Sequence, residues 1–165
     1  MSKMEIILIA AISKHYVLGF NGKIPWKVPE DMDRFRKLTL EHPVIMGRKT
    51  YESLPEKSRP LPGRKNIVLS KTLEPRNGIH IARSLDEALE STEGRDSYVM
   101  GGREIYKLFL PKATRLEITQ IDGDFPGDVF FPVRNLNDEW RLSMSMSTTS
   151  RNQGIPYSFL TYERR

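Results

Sequence analysis

An α/β fold is predicted by the alternation of short apolar runs with helical patterns along the 165-residue chain. A continuous apolar run at residues 6–12 and short, mainly apolar runs at residues 43–46 and 97–100 are typical of strands buried on both faces of a sheet. Helical patterns follow these runs, which favours a central, mostly parallel sheet with helices on both faces. Extended runs at residues 140–147 and 157–162 bracket a turn and predict a C-terminal antiparallel hairpin.

The first strand leads into an irregular loop and then an acidic helix start. Glycines and prolines between Gly19 and Pro29 are too frequent for regular structure. Pro29 suits the first helical position, and the two acids after it favour the positive end of the helix dipole. Apolar residues recurring at helical spacing predict the buried face of this helix: Val28, Met32, Phe35 and Leu38.

Shorter signals predict the remaining elements. A helix is expected to begin at Arg48, and a proline-rich loop covers residues 55–63. Ser84 and Glu87 fit a capping box for a helix at residues 85–90, and a later helix should stop before Pro111. Further strands are predicted at residues 66–70, 79–82 and 115–122.

Composition predicts one domain spanning residues 1–165. Hydrophobic residues make up 38% and charged residues 28% of the chain, as in folded globular proteins. No apolar run reaches the roughly 18 residues of a membrane span, and the N-terminus lacks a signal-peptide pattern. The absence of cysteine excludes disulfides and thiolate metal sites, and the three histidines are isolated, so no metal site is expected. We therefore expect a cytoplasmic protein that does not bind membranes.

The net charge of +5 and the pI near 9.5 indicate an anionic partner. Nucleic acid, a membrane surface and a multiply charged small molecule would all satisfy this charge. The basic residues are spread along the chain and form no long block, and the aromatic residues fall largely at core-spaced positions. A nucleic-acid-binding module is therefore the weaker alternative.

Asp31 is the first candidate for chemistry. It precedes Phe35 by four residues, so its carboxylate lies beside the apolar face of the predicted helix. Trp26, in the loop before it, is costly to expose to water and should fold inward. A carboxylate in such surroundings suits an active-site acid, but acids in a first helical turn commonly serve only to offset the dipole.

Glycines at the ends of two predicted strands form a second candidate site. Gly47 precedes Arg48 and Lys49, and Gly101-Gly102 precedes another helix. Glycine allows backbone N–H groups to approach a ligand closely, and arginine can bind a phosphate through two donors. Ser70-Lys71 repeats the arrangement after a third strand, at the sheet edge where α/β proteins bind ligands. A solvated basic turn and a tight glycine turn remain the structural alternatives.

Five motifs, in order and spacing, resemble dihydrofolate reductase over nearly the whole chain. They are residues 8–11, Gly19-x5-Pro25-Trp26-x2-Pro29-x-Asp31, residues 44–50, residues 61–64 and Gly101-Gly102-x3-Tyr106. The resemblance is to bacterial-type enzymes, because Asp31 occupies the position of the active-site acid. It implies reduction of 7,8-dihydrofolate to tetrahydrofolate, with hydride from NADPH to pterin C6 and a proton to N5. A monomer, and binding of antifolate inhibitors, are also implied.

For the substrate, the resemblance assigns Asp31 to pterin N3 and the 2-amino group, with Thr119 bonded to Asp31. Trp26 would hold an ordered water, and Ile24 belongs to the catalytic loop, where Met or Leu is frequent. Arg64 would bind the α-carboxylate of the glutamate tail. The apolar walls would be formed by Ile9, Met32, Phe35, Leu54, Leu61 and Met100.

For the cofactor, the resemblance assigns Ala11 and Leu18 to the nicotinamide carboxamide. Gly101-Gly102, joined by a cis peptide, would contact the pyrophosphate, and the loop from Gly19 to Trp26 would act as a lid bonded by Asp128. Glu104 stands where a basic residue is frequent, which predicts weaker cofactor binding. The other NADPH-binding positions, including those for the adenosine 2′-phosphate, are Gly47, Arg48, Lys49, Thr50, Leu69, Ser70, Lys71, Arg103, Ile105 and Tyr106.

A reductase of another pterin or of a pyrimidine on the same fold is the nearest alternative. Such an enzyme would retain the glycines. It would not need Arg64 opposite a glutamate tail.

Overall fold

The computed structural model describes residues 4–165. Within them, helices and strands alternate through most of the chain, and two 3-10 turns cover Glu56–Ser58 and Leu110–Lys112. The elements are β1 (Ile6–Ser13), β2 (Val17–Gly19), α1 (Pro29–Thr39), β3 (Pro43–Gly47), α2 (Arg48–Ser53), β4 (Lys65–Leu69), β5 (Ile79–Ala82), α3 (Leu85–Ser91), β6 (Ser97–Val99), α4 (Arg103–Phe109), β7 (Arg115–Ile121), β8 (Val129–Phe130), α5 (Leu136–Glu139), β9 (Trp140–Thr149) and β10 (Pro156–Arg164).

Eight of these strands form one sheet in the order β5-β4-β3-β6-β1-β7-β10-β9. The pairs on the β5 side of β1 are parallel, whereas β7 pairs with β10, and β10 with β9, in antiparallel fashion. Strands β2 and β8 pair separately. The predicted fold class, a mostly parallel sheet with a C-terminal antiparallel hairpin, is confirmed.

The chain divides into two compact units, of which the first runs up to Leu8 and resumes over Thr39–Ala113. Its central strand β3 is buried along its whole length, as expected for a parallel strand with both faces covered. The register places Gly47 opposite Leu69 and Ile45 opposite Val99. Strands β3, β4 and β6 therefore end at one edge, where the first unit gathers its glycines and cations.

The second compact unit combines Ile9–Leu38 with Thr114–Arg165. A buried cluster of Val28, Ile121 and Tyr157 forms part of its core, and Trp26 packs against that cluster. Trp26 thus folds inward, as the sequence predicted. Strand β9 ends the sheet, and its residues 141–149 are exposed.

Helix α1 begins at Pro29, as predicted, but its buried face was predicted wrongly at one position. Met32 is 65% exposed. The side chains that turn inward are those of Asp31, Arg34, Phe35 and Leu38, at helical spacing. The face is shifted because Asp31 and Arg34 bond to polar side chains on β7, a long-range effect that an apolar pattern does not show.

Three short elements were not predicted: β2, β8 and α5. They contain three, two and four residues, too few to produce a periodic pattern. The helix predicted to stop before Pro111 does end at Phe109, and a 3-10 turn continues through the proline. No helix within residues 4–165 is long and apolar enough to cross a membrane.

Candidate functional site

Asp31 lies in the first turn of α1 and is held by β7. The Thr119 hydroxyl donates a hydrogen bond to Asp31 Oδ1 at 2.6 Å, the contact implied by the resemblance. Burial raises the pKa of Asp31 above its usual value, while the bond from Thr119 and the positive charge of Arg34 act in the opposite direction. The carboxyl group is thus desolvated and oriented, two properties typical of active-site acids.

Trp26 and the preceding loop lie on the same compact unit as Asp31. The Trp26 ring meets Phe125 edge-on, with ring centroids 5.3 Å apart. Ile24, assigned to the catalytic loop, is 65% exposed. Asp128 accepts a hydrogen bond from the Asn21 backbone N–H at 3.1 Å, so the loop and its predicted partner are in contact.

In the first unit, the two glycine turns are joined directly. The Gly47 N–H donates to the Gly101 carbonyl at 2.9 Å. A Cβ on Gly47 would lie 3.0 Å from the Ile105 side chain, and one on Gly101 would lie 3.0 Å from the Tyr106 ring. A larger residue at either position would therefore require the neighbouring side chain to move, and the peptide between Gly101 and Gly102 is cis, as the resemblance implied.

The cations beside these turns are partly engaged by acids of the same unit. Arg48 Nη1 donates to Glu52 Oε1 at 2.7 Å, one helical turn away. Lys49 is exposed, and Arg103 pairs with Glu104 at 3.2 Å. Arg48 and Lys49 therefore follow the Gly47 turn directly, but Arg48 and Arg103 are each paired with a carboxylate.

A cavity of about 340 Å³ lies where β4 and β5 end. Leu69, Ser70 and Lys71 line it together with Arg83, which sequence reasoning missed. Arg83 Nη1 donates to the Ser70 carbonyl at 2.9 Å. The register of β4 and β5 pairs Leu69 with Ala82, so the strand-end rule that selected Lys71 would also have selected Arg83.

The loop carrying Leu61 and Arg64 is organised by Asn66, a second residue that was missed. Asn66 is buried, and its amide oxygen accepts the Leu61 N–H at 2.8 Å. Its amide nitrogen donates to the carbonyls of Leu61 and Arg64. Arg64 Nε donates to the Pro62 carbonyl at 2.9 Å and Nη1 to Thr39 Oγ1 at 3.2 Å, so its guanidinium is held in place.

The predicted site residues fall into two groups, one on each compact unit. The second unit contains the acid and its surroundings: Ile9, Ala11, Leu18, Ile24, Trp26, Asp31, Met32, Phe35 and Thr119. The first unit contains the rest: Gly47, Arg48, Lys49, Thr50, Leu54, Leu61, Arg64, Leu69, Ser70, Lys71, Met100, Gly101, Gly102, Arg103, Glu104, Ile105 and Tyr106. In the part of the chain that the structure describes, no group of three or more His, Cys, Asp or Glu side chains could hold a metal ion.

Strand ends that carry glycines and cations are typical of α/β proteins that bind small phosphate-bearing ligands, and a desolvated acid of raised pKa is typical of enzymes. A family model described as dihydrofolate reductase matches residues 5–164. Three curated relatives of that name cover nearly the whole chain. The one from Mycobacterium tuberculosis is 43% identical over 161 residues, covering 95% of this chain and 96% of its own. Those from Mycobacterium leprae and Neisseria meningitidis are 41% identical over 162 residues (95% and 96%) and 40% identical over 163 residues (98% and 99%).

The chain therefore belongs to the dihydrofolate reductase family. This finding confirms the motif resemblance. It favours an enzyme over the alternative of a nucleic-acid-binding module.

Proposed function

We propose that the protein reduces 7,8-dihydrofolate to 5,6,7,8-tetrahydrofolate with NADPH. Membership of the family supports the reaction class. The observation that supports it most directly is Asp31, a desolvated carboxyl group of raised pKa that is oriented by Thr119.

Asp31 accepts hydrogen bonds from pterin N3 and the 2-amino group in this proposal. Thr119 leaves the second carboxylate oxygen, Oδ2, for this contact, since it bonds Oδ1. The raised pKa suits a group that takes part in proton chemistry near neutral pH. Apolar side chains around the pterin exclude water, which strengthens these polar contacts.

Arg64 binds the α-carboxylate of the glutamate tail. Its guanidinium is already fixed by Pro62 and Thr39 through Nε and Nη1, so a carboxylate meets a donor group whose orientation is set before binding. A reductase of other pterins or pyrimidines would have no use for this arginine.

The residues of the first unit fit a dinucleotide phosphate chain. Gly47 and Gly101 form a tight backbone contact in which a Cβ on either would lie 3.0 Å from a neighbouring side chain, and Thr50 Oγ1 lies 3.9 Å from the position of a Cβ on Gly102. Lys49 and Thr50 contact the pyrophosphate here, whereas Arg48, Ser70 and Lys71 bind the adenosine 2′-phosphate. NADPH, when bound, supplies the hydride transferred to pterin C6.

The proposal also includes the domain organisation, oligomeric state and localisation of the protein. Residues 1–165 act as one dihydrofolate reductase domain, and the protein is a cytoplasmic monomer. The Gly19–Trp26 loop acts as a lid that Asp128 holds through Asn21. Antifolates, as substrate analogues, bind to the Asp31 site.

The test is NADPH oxidation on addition of dihydrofolate by wild type, Asp31→Asn and Asp33→Asn. Asp33 is the matched control because it is an exposed acid on the same helix, paired with Arg151 at 3.1 Å. We expect Asp31→Asn to lose roughly 10²–10⁴-fold in turnover while still binding NADPH, and Asp33→Asn to remain active. Folded wild type that binds NADPH but does not oxidise it with dihydrofolate would show that the substrate is a different heterocycle.

A further inference from the structure

A second polar contact joins α1 to β7 beside the Asp31–Thr119 hydrogen bond. Arg34 Nη2 donates to Glu117 Oε2 at 2.7 Å. Arg34 lies three residues after Asp31 on the helix, and Glu117 lies two residues before Thr119 on the strand. These spacings are about 4.5 Å along a helix and about 6.7 Å along a strand, so the two contacts run side by side. Together they fix both the rotation and the translation of α1 against β7.

Glu117 anchors this second contact from inside the unit. Its side chain is 6% exposed, and Thr161 Oγ1 lies 3.1 and 2.9 Å from its two carboxylate oxygens. Arg115 Nε lies 3.2 Å from Oε1. Because Glu117 has these further partners, loss of Arg34 does not leave a buried carboxylate without any.

The Arg34 guanidinium is also held from the side of β10. Its central carbon lies 4.4 Å from the centre of the Phe159 ring, a cation–π contact. The side chain is 21% exposed. The Arg34 charge is therefore held in place by Glu117 and Phe159 and is largely shielded from water. It lies about one helical turn from Asp31.

We propose that Arg34 is a positioning residue, which orients the α1 turn that carries Asp31 and places a fixed positive charge beside it, thereby setting the pH range of turnover. This inference rests on the proposed function. The charge of Arg34 lowers the pKa of Asp31 against the larger effect of burial. Removal of that charge therefore displaces the titration of Asp31 to higher pH.

The other charged and titratable groups around Asp31 do not supply this effect. Glu30 on the same helix accepts the Arg151 backbone N–H at 2.8 Å, and Asp33 pairs with the Arg151 side chain. The Tyr157 hydroxyl on β10 interacts with Glu30, and burial raises its pKa, so it is uncharged near neutral pH. Among the groups facing Asp31, Arg34 is thus the cation whose charge acts on it.

Three variants distinguish the charge of Arg34 from a general loss of positive charge on the helix. Arg34→Gln removes the charge and leaves a shorter polar side chain, whereas Arg34→Lys keeps the charge. Arg36→Gln is the matched control, because Arg36 is an exposed arginine on the outer face of the same helix. Each variant is measured in two ways: the pH dependence of kcat/KM for dihydrofolate, and the pH titration of the ¹³C-labelled Asp31 carboxyl group by NMR.

We expect Arg34→Gln to move both the carboxyl titration and the kcat/KM profile to higher pH, with KM for NADPH within about twofold of wild type. Arg34→Lys should restore most of the wild-type profile, and Arg36→Gln should overlay it. Identical titrations for Arg34→Gln and Arg36→Gln would overturn the proposal. The NMR titration needs no turnover, so a protein inactive on dihydrofolate would refute the proposed function while the role of Arg34 was still decided.

Discussion

At the scale of single residues, the environment of Asp31 shows how desolvation and hydrogen bonding oppose each other. Burial favours the neutral acid, whereas the Thr119 hydroxyl and the Arg34 charge favour the carboxylate. Burial has the larger effect, so the pKa remains raised. An acid held in this way costs folding stability whenever it is ionised, which makes its contribution measurable without substrate.

We predict that Asp31→Asn stabilises the unliganded protein at neutral pH. The folded pKa lies above the ordinary value of 3.8, so between these two values the folded chain retains a proton that the unfolded chain has released. Stability therefore falls as pH rises through this window and stays lower above it. Asparagine removes this loss, which urea denaturation over a series of pH values would reveal as a flatter profile.

Asp33→Asn is the control for that experiment, since Asp33 is exposed on the same helix. Its profile should follow wild type. A pH dependence unchanged in Asp31→Asn would show that Asp31 is not desolvated in solution.

At the scale of elements, the turn between β6 and α4 depends on close backbone packing. Gly101 has a φ of +106°, and a Cβ there would lie 3.0 Å from the Tyr106 ring. Gly94, by comparison, has a φ of +74°, and apart from its neighbours in the chain no atom lies within 4 Å of the position that its Cβ would take. A comparison of alanine substitutions at Gly94 and Gly101 therefore distinguishes the cost of a positive φ from the cost of steric overlap.

We predict that Gly101→Ala lowers the free energy of unfolding by more than Gly94→Ala does. Both substitutions place alanine at positive φ, which costs about 1–2 kcal/mol, but only Gly101→Ala also displaces the Tyr106 ring. Urea denaturation measures the difference, and NADPH titration should show weaker binding only for Gly101→Ala. Equal losses of stability in the two variants would contradict the packing argument.

Local signals predicted most elements, but not the contacts that give them a function. Pro29 and the acids after it are sufficient to place the start of α1, since capping and dipole effects act within one turn. The inward turn of Arg34 depends on Glu117, 83 residues away, and the order of the 61–64 loop depends on the buried amide of Asn66. Such pairings come from the tertiary fold, so motif resemblance could supply Thr119 but not Arg34.

At the scale of the whole molecule, strand β9 is an open edge with little protection. Residues 142–149 contain no charge and no proline, which usually discourage pairing between sheet edges. Met144 is 66% exposed and Met146 is 54% exposed. The net charge of +5 still opposes association of the folded chains.

We predict that Met144→Lys reduces aggregation on heating while changing the melting temperature by less than about 2 °C. A charge at the edge disfavours strand pairing between molecules, and an exposed substitution typically changes stability by no more than about 0.5 kcal/mol. Light scattering during a thermal scan measures the effect. Asn77→Lys, at an exposed position before β5, adds the same charge elsewhere, and an equal reduction in that variant would mean that net charge alone is responsible.

In the proposed function, binding of the cofactor's 2′-phosphate at Arg48 competes with the Arg48–Glu52 ion pair. Glu52 is a tethered counter-ion, covalently held one helical turn from the guanidinium, so dilution does not remove it. A phosphate bound there as proposed shares the guanidinium with this carboxylate, which lowers its affinity at low ionic strength. Added salt weakens both pairings alike, so cofactor affinity should depend less steeply on salt than it would with an open arginine.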